Sequence, residues 1–461
     1  MGLAPHTLNH WRAELGSGRT TSRALTEQAL EAATDSSEAA STFIAVHAAT
    51  ARASADAIDG LRAAGVPLPA LAGIPISIKD LFGEAGQVSR AGSKVLDDAA
   101  PETADSTVVQ RLRAAGLVIV GRTNMTEFAY SGLGLNPHYG TPRNPWDRAT
   151  GRIPGGSSSG AAVSVTDGMA AAAIGTDTGG SVRIPSALCG LTGFKPTARR
   201  VPTDRVLPLS STLDSIGPLA RSVDCCAQLD AVLAGLPVAA LPAVSSSAAA
   251  SLAGFSFAVP KTVVFDGIDA TVSAAFEAAC RALSAAGARL VEVEVPEFAA
   301  LAHLNRRGGF IAAEAWAWHA RLLASREAEY DRRVAGRIRR GAAMTAADYL
   351  ELLDARPRWI AGVQQRLRAV NAETLLMPTV PVVAPPLAPL QDSDETYGST
   401  NLLLLRNPTL INFLDGCALS LPCQRPGDAP VGLMLASAGG ADSRLLALGS
   451  TVEAVLARAS A

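Results

Sequence analysis

Along residues 22–65 apolar positions such as Leu25, Ala29 and Ala32 recur at helical spacing, which predicts helices over that stretch. Residues 71–80 (LAGIPISIKD) form a short apolar run ending at Lys79 and read as a buried strand. A helix is predicted over 105–115, from a cap at Asp105 to Gly116, and 117–120 (LVIV) is a fully apolar strand behind it. The helix-then-strand order points to a parallel α/β sheet.

Residues 131–160 are dense in Gly, Pro, Asn and Ser and read as loop. Small apolar residues over 161–167 predict a closely packed helix, followed by a strand-like run at 170–174. The Ala-, Pro- and Ser-rich stretch 236–251 reads as a surface connection. Residues 255–259 read as strand; 271–287 and 310–370 read as helical. A Pro-rich loop opens at 375–378 and runs through Pro389; the tail returns to strand at 431–435 and helix at 442–457.

Composition narrows what such a chain does. Of 461 residues 48% are hydrophobic and only 18% charged, which excludes a disordered chain, and a net charge of −2 argues against bulk nucleic-acid binding. No apolar run is long enough to span a membrane, and the N-terminus has neither a signal-peptide pattern nor a myristoylation pattern. The six cysteines contain no C-x-x-C pair and two are adjacent, so they are expected as reduced thiols in a cytoplasmic protein. Of the 40 basic residues, the only lysines are Lys79, Lys94, Lys195 and Lys261. A surviving lysine in so arginine-rich a chain hints at work arginine cannot do, since lysine can be made neutral by burial. The arginines clustered over 332–340 read as the solvated face of a helix with Glu327 and Glu329.

Three segments could carry a reaction. Lys79 closes an apolar strand, where open α/β sheets place their ligand crevice and where burial lowers a lysine pKa towards that of a general base. Residues 155–160 (GGSSSG) lack the G-K-[ST] ending of a phosphate loop. Leading into a tightly packed helix, they suggest backbone approaching a ligand. Residues 177–183 (DTGGSVR) place two glycines before Ser181. Such a turn can aim backbone N–H groups into one space, the geometry of an oxyanion hole beside a serine nucleophile. The sequence holds no H-E-x-x-H or G-x-G-x-x-G, and none of its six histidines adjoins Ser181. Serine–lysine pairs supply a base without histidine, which raises Lys79 for that role.

Together these segments resemble the amidase signature family. The motifs GIPISIKD, GRTNMTEFA, GTPRNPWD, PGGSSSGAAVSV and GTDTGGSVRIPSALCGLTGFKPT stand in family order. The likeness continues through 201–224, 375–385 and 412–435. It implies an α/β fold with a large central mixed twisted sheet covered by helices on both faces. The chain would comprise an N-terminal helical region (1–65), the signature core (66–240), a variable helical substrate-side region (241–374) and a return to the core sheet (375–461), in one continuous catalytic domain.

The resemblance also implies roles: Lys79, Ser157 and Ser181 as the catalytic triad, with Ser157 on a cis peptide bond; the N–H groups of Thr178, Gly179 and Gly180 as the oxyanion hole; Ser158, Asp177 and Arg183 as supports. No metal or cofactor is required. The expected activity is hydrolysis of a small aryl or alkyl amide or carbamate through an acyl-serine, with ester cleavage as a side activity.

Loops near 125–135, 206–209, 316–318 and 400–413 are expected to line the substrate pocket. They carry Met125, Phe128, Tyr130, Leu133, Leu135, Leu207, Trp316, Leu402 and Phe413. Alternatives are a biuret- or allophanate-type hydrolase and the glutaminase component of a tRNA-dependent amidotransferase. That component's usual S-S-L-D-Q-I-G-P is replaced here by STLDSIGP at 211–218. A binding or scaffold protein with a dead site is the remaining alternative. Nucleic acid and membrane are not expected partners; the assembly allowed for is a homodimer.

Overall fold

A computed structural model describes residues 2–35, 38–238 and 251–459. Of the predicted surface connection at 236–251, residues 239–250 lie outside the described residues.

Among the described residues one sheet holds eleven strands: β1 (Phe43–Val46), β2 (Pro75–Lys79), β3 (Val118–Thr123), β4 (Ala172–Asp177), β5 (Thr192–Lys195), β6 (Ser215–Ala220), β7 (Ser256–Pro260), β8 (Arg289–Val293), β9 (Thr374–Pro378), β10 (Cys417–Pro422) and β11 (Gly432–Ser437). Their order across the sheet is β1-β3-β2-β4-β6-β5-β10-β11-β9-β7-β8. The sheet is mixed, as the family resemblance implied, rather than wholly parallel as the helix–strand order alone suggested. β2 runs parallel to β3 and β4, and β7 to β8 and β9, while β1, β6, β5, β10 and β11 pair antiparallel to their neighbours.

The sheet is covered on both faces, and strand periodicity shows how. Leu419, Leu421, Leu433 and Leu435 enter one hydrophobic cluster, whereas the intervening Ala418, Met434 and Ala436 enter another. Alternate residues of a strand point to opposite faces, so both faces of β10 and β11 are core. Such strands read as continuous apolar runs, which is why β2, β3 and β11 are visible in the sequence.

Other expectations change. The 22–65 helices are Ser22–Asp35 and Ala48–Ala63, with β1 between them on the sheet edge, paired to β3. The 105–115 helix is Thr107–Ala114, capped by Ser106, whose hydroxyl accepts the Val109 N–H. Asp105 instead accepts the Ala85 N–H and a bond from Arg113. The 310–370 segment divides into helices Gly309–Arg326, Arg332–Arg339 and Ala346–Ala369. On the Arg332–Arg339 helix, Arg332 and Arg339 are exposed as expected, with Arg339 paired to Glu327, whereas Arg333 and Arg337 are partly buried. Arg332 and Arg333 both bind Asp394, and Arg337 donates to Tyr130 O at 2.7 Å with its guanidinium over the Tyr130 ring. The stretch 316–318 lies on helix Gly309–Arg326, in keeping with the helical reading of 310–370 rather than with a loop, whereas 400–413, expected as loop, lies on helix Asp394–Phe413, which carries Pro408 inside it. All six cysteines are free thiols. Among the described residues no helix is long and apolar enough to cross a membrane.

Candidate active site

β2 and β4 are adjacent and parallel, with Ile76 opposite Ala172 and Ile78 opposite Ile174. Their carboxyl ends therefore finish side by side, and Lys79, the last residue of β2, lies next to the end of β4 and the glycine turn that follows it. This is the crevice position expected for a ligand on parallel strands. The third contribution comes from the Ser159–Thr166 helix. Its small residues SGAAVSVT let it lie close against the sheet, where Ser164 Oγ meets Ser77 Oγ at 2.8 Å. Ser157 and Ser158 sit at the entrance of that helix, so its docking delivers them to Lys79. The Gly156–Ser157 peptide bond is cis.

Lys79 is fully buried, and its Nζ donates to Ser157 Oγ at 2.7 Å and to Thr176 Oγ1 at 2.8 Å. Burial pushes its pKa from 10.5 down to about 7, against the opposing pull of the Asp214 and Asp177 charges. A lysine so placed has a free-base population at neutral pH, which a general base needs.

Ser181 is 3% exposed and adjoins Ser158 through the backbone, its carbonyl accepting the Ser158 N–H at 3.3 Å. The side-chain hydrogen bonds thus join Lys79 to Ser157, while the approach of Ser181 is a main-chain one. Ser158 Oγ donates to Thr176 O at 3.5 Å.

The turn after β4 is braced from one side. Asp177 Oδ1 accepts the Gly180 N–H at 2.8 Å and Oδ2 the Val182 N–H at 3.2 Å. Arg183 binds the same carboxylate through Nε at 3.0 Å and Nη2 at 2.9 Å, and Asn412 Nδ2 donates to Oδ1 at 2.9 Å. Burial alone would raise the Asp177 pKa, but the Arg183 guanidinium outweighs it and holds the carboxyl well below the ordinary carboxylate range. The expected oxyanion donors consequently divide. The Gly180 N–H is committed to Asp177, which leaves the Thr178 and Gly179 N–H groups, with that of Ser181, as the available donors of the turn.

A cavity of about 70 Å³ opens beside Thr176 and Thr178, lined by Leu81, Ala129, Val206, Leu207, Asp214 and Ile216 among others. Leu207 is the pocket candidate that the structure brings here. Met125, Leu133 and Phe413 are at most 1% exposed and belong to packed clusters, Phe413 against Trp359 and Phe310. Leu135 is buried in the same cluster as Leu133. Phe128 packs against Trp318, His319 and Tyr330; Tyr130 lies under Arg337; Trp316 is half-buried against the main core. Leu402 is 67% exposed on its helix. Leu207 and Leu402 apart, these apolar candidates are accounted for by packing, because an apolar residue near a site is drawn first to the core.

The structure adds residues that spacing could not reveal. Thr176 accepts from Lys79, and Asn412 binds both Asp177 and Arg183 from a helix more than two hundred residues away in sequence. Asp214, inside the STLDSIGP motif, accepts the Thr178 hydroxyl at 2.5 Å. Phe128 and Ala129 carry left-handed φ values of 48° and 59°, and Ala129 lines the cavity. Such strain in residues with side chains gathers at functional sites.

Residues 24–446 match the family described as Amidase. The chain is 38% identical over 420 residues to the 2-amino-5-chloromuconic acid deaminase of Comamonas testosteroni, covering 90% of this chain and 88% of that protein. It is 34% identical over 459 residues to a glutamyl-tRNA(Gln) amidotransferase subunit of Synechococcus sp. (strain CC9605), covering 93% and 92%. A solved amidase crystal structure superposes with a TM-score of 0.85 at 32% identity, covering 97% of this chain and 99% of that one.

Proposed function

This chain belongs to the amidase family, whose enzymes act on C–N bonds, and we propose that it hydrolyses the amide or carbamate bond of a small molecule through an acyl-serine intermediate. The observation that carries this reading is the fully buried Lys79 donating to Ser157 Oγ at 2.7 Å beside the Ser181 turn.

In the proposed first step Ser181 Oγ bonds to the substrate carbonyl carbon while its proton passes to Ser157, whose own proton passes to neutral Lys79. The Thr178 and Gly179 N–H groups hold the developing oxyanion. Collapse of the tetrahedral intermediate breaks the C–N bond. The proton returns from Lys79 through Ser157 to the leaving nitrogen, giving a free amine and an acyl-Ser181. Water then adds to the acyl carbon by the same relay and releases the acid. Apolar lining by Leu81, Ala129, Val206, Leu207 and Ile216 favours an aryl or alkyl group next to the reacting carbonyl.

A panel of small aryl amides, aliphatic amides, carbamates and glutamine, read by amine or ammonia release, tests the substrate class. Turnover confined to glutamine would overturn it. The second reading, the glutaminase component of an amidotransferase, rests on the 34% identity to the Synechococcus protein over 93% of the chain. Glutamine-dependent ammonia release that rises on adding partner proteins and charged tRNA would favour it.

A further inference from the structure

β4 and β6 are antiparallel, with Asp177 opposite Ser215 and the Ser215 hydroxyl donating to Asp177 O at 2.8 Å. One step further along the same register, Asp214 faces Thr178, the first residue of the glycine turn. Its carboxylate is fully engaged there. Oδ1 accepts the Thr178 hydroxyl at 2.5 Å and the Ser210 N–H at 3.1 Å, and Oδ2 accepts the Leu209 N–H at 3.0 Å. The turn bearing Asp214 is held from behind as well. Glu314 binds the hydroxyls of Ser210 and Thr212, the Thr212 N–H at 3.1 Å and the Tyr349 hydroxyl at 2.7 Å. Asp214 also lines the cavity shared with Thr176 and Thr178.

Asp177 braces the Gly180 end of the glycine turn, and Asp214 is the only carboxylate that touches its Thr178 end among the described residues. We propose that Asp214 is a positioning residue for acylation: it clamps the Thr178 end of the oxyanion turn to the Leu209–Ser210 turn and sets the negative charge that Lys79 faces. This rests on the reading of Lys79 as the base.

The charged surroundings of Lys79 are few. Asp177, at the end of β4, is tied to Arg183; Asp214 lies before β6; on the β3 side Arg122 is tied to Asp80. Glu314 faces Asp214 in turn. Of the two carboxylates that favour the charged form of Lys79, Asp177 has its guanidinium partner and Asp214 has none among the described residues. Removing the Asp214 charge therefore disfavours protonated Lys79, and the free base persists to lower pH.

Asp214→Asn separates charge from clamp. The Thr178 hydroxyl donates to a carboxylate but can equally accept from an amide N–H placed at Oδ1, leaving the amide oxygen at Oδ2 for the Leu209 N–H and for the Ser210 N–H, which already reaches Oδ2 at 3.2 Å. Asp214→Ala removes both functions. The test follows the rate at which a fluorophosphonate labels Ser181 as a function of pH, with kcat and KM on the best substrate of the panel. Asp214→Asn is expected to move the acid limb down by about one pH unit, the low end for a nearby opposite charge. Asp214→Ala is expected to lose roughly tenfold or more in kcat relative to Asp214→Asn, less than the about 10²- to 10³-fold lost when an oxyanion donor is removed outright, with KM little changed.

An acid limb that stays in place in a folded Asp214→Asn enzyme would overturn the proposal. So would equal kcat in the two variants. If wild-type labelling shows no acid limb at all, or if Ser181→Ala labels as well as wild type, it is the acyl-serine reading that fails. The two failures are thus distinguishable, and should Asp214→Ala not fold, the pH profile of Asp214→Asn decides alone.

Discussion

Arg183 meets Asp177 through two parallel bonds, Nε to Oδ2 at 3.0 Å and Nη2 to Oδ1 at 2.9 Å, with both side chains fully buried. The same carboxylate accepts the Gly180 and Val182 N–H groups, so the pair fixes the shape of the turn before and after Ser181. Arg183→Ala would strand a buried carboxylate, a loss of about 3 to 5 kcal/mol when one partner of such a pair is removed. We expect a lower urea midpoint together with a large fall in Ser181 labelling. Arg183→Lys keeps the charge but not the planar fork, and should recover only part of each. A wild-type midpoint in Arg183→Ala would show that the pair does not organise the turn.

Ser181→Ala removes the proposed nucleophile without touching the brace, since the Ser181 carbonyl and N–H remain. Turnover should fall by about 10⁶-fold, the scale for loss of a catalytic serine. The melting temperature should stay at the wild-type value. Residual turnover within tenfold of wild type would place the nucleophile elsewhere.

What could be read in advance followed from local chemistry. Lys79, Ser157 and Ser181 each lie in a compact motif, and β2 and β4 are apolar runs whose parallel pairing brings their ends together. β6 escaped notice because its SIGPLA carries Gly217 and Pro218, residues that ordinarily mark turns. The Asp394–Phe413 helix escaped because Pro408 interrupts its pattern. The pocket was legible only in part, as apolar residues such as Met125 and Phe413 look the same whether they face a ligand or the core. Asn412 and Asp214 act through contacts made by the folded sheet, which no spacing along the chain records.

The glycines of the serine-rich loop allow a close approach, but at Gly160 what approaches is the protein itself. A Cβ there would collide with Thr42 O and lie 2.7 Å from Asn124 N, both backbone atoms that cannot swing aside. Gly160→Ala should therefore destabilise by about 3 kcal/mol, the upper part of the range for overpacking. The loss should appear in the urea midpoint, and labelling of Ser181 should fall with it because the helix entrance carries Ser157. Unchanged stability would mean that the Ser159–Thr166 helix can back away from the Thr42–Asn124 segment.

Lys79 ties both activity and stability to pH through one burial, and both should rise with pH. Only its free base can accept the serine proton, so kcat/KM should rise with pH and reach half its plateau near 7. Lys79→Arg, which cannot deprotonate, should be nearly as inactive as Ser181→Ala. For stability, the folded value of about 7 lies below the unfolded value of about 10.4. Between the two, the unfolded chain binds a proton that the native protein does not, so this group makes stability increase with pH across that window. Its cost is complete below about pH 7 and gone above about pH 10.4. Lys79→Met abolishes the titration while losing the bonds to Ser157 and Thr176 at every pH, so the slope of the difference between the two proteins isolates the lysine. Urea unfolding at about pH 7 and about pH 9.5, inside that window, should show wild type gaining on Lys79→Met as pH rises. A difference that stays constant would mean that Lys79 remains protonated in the fold, and the base would then have to be sought elsewhere.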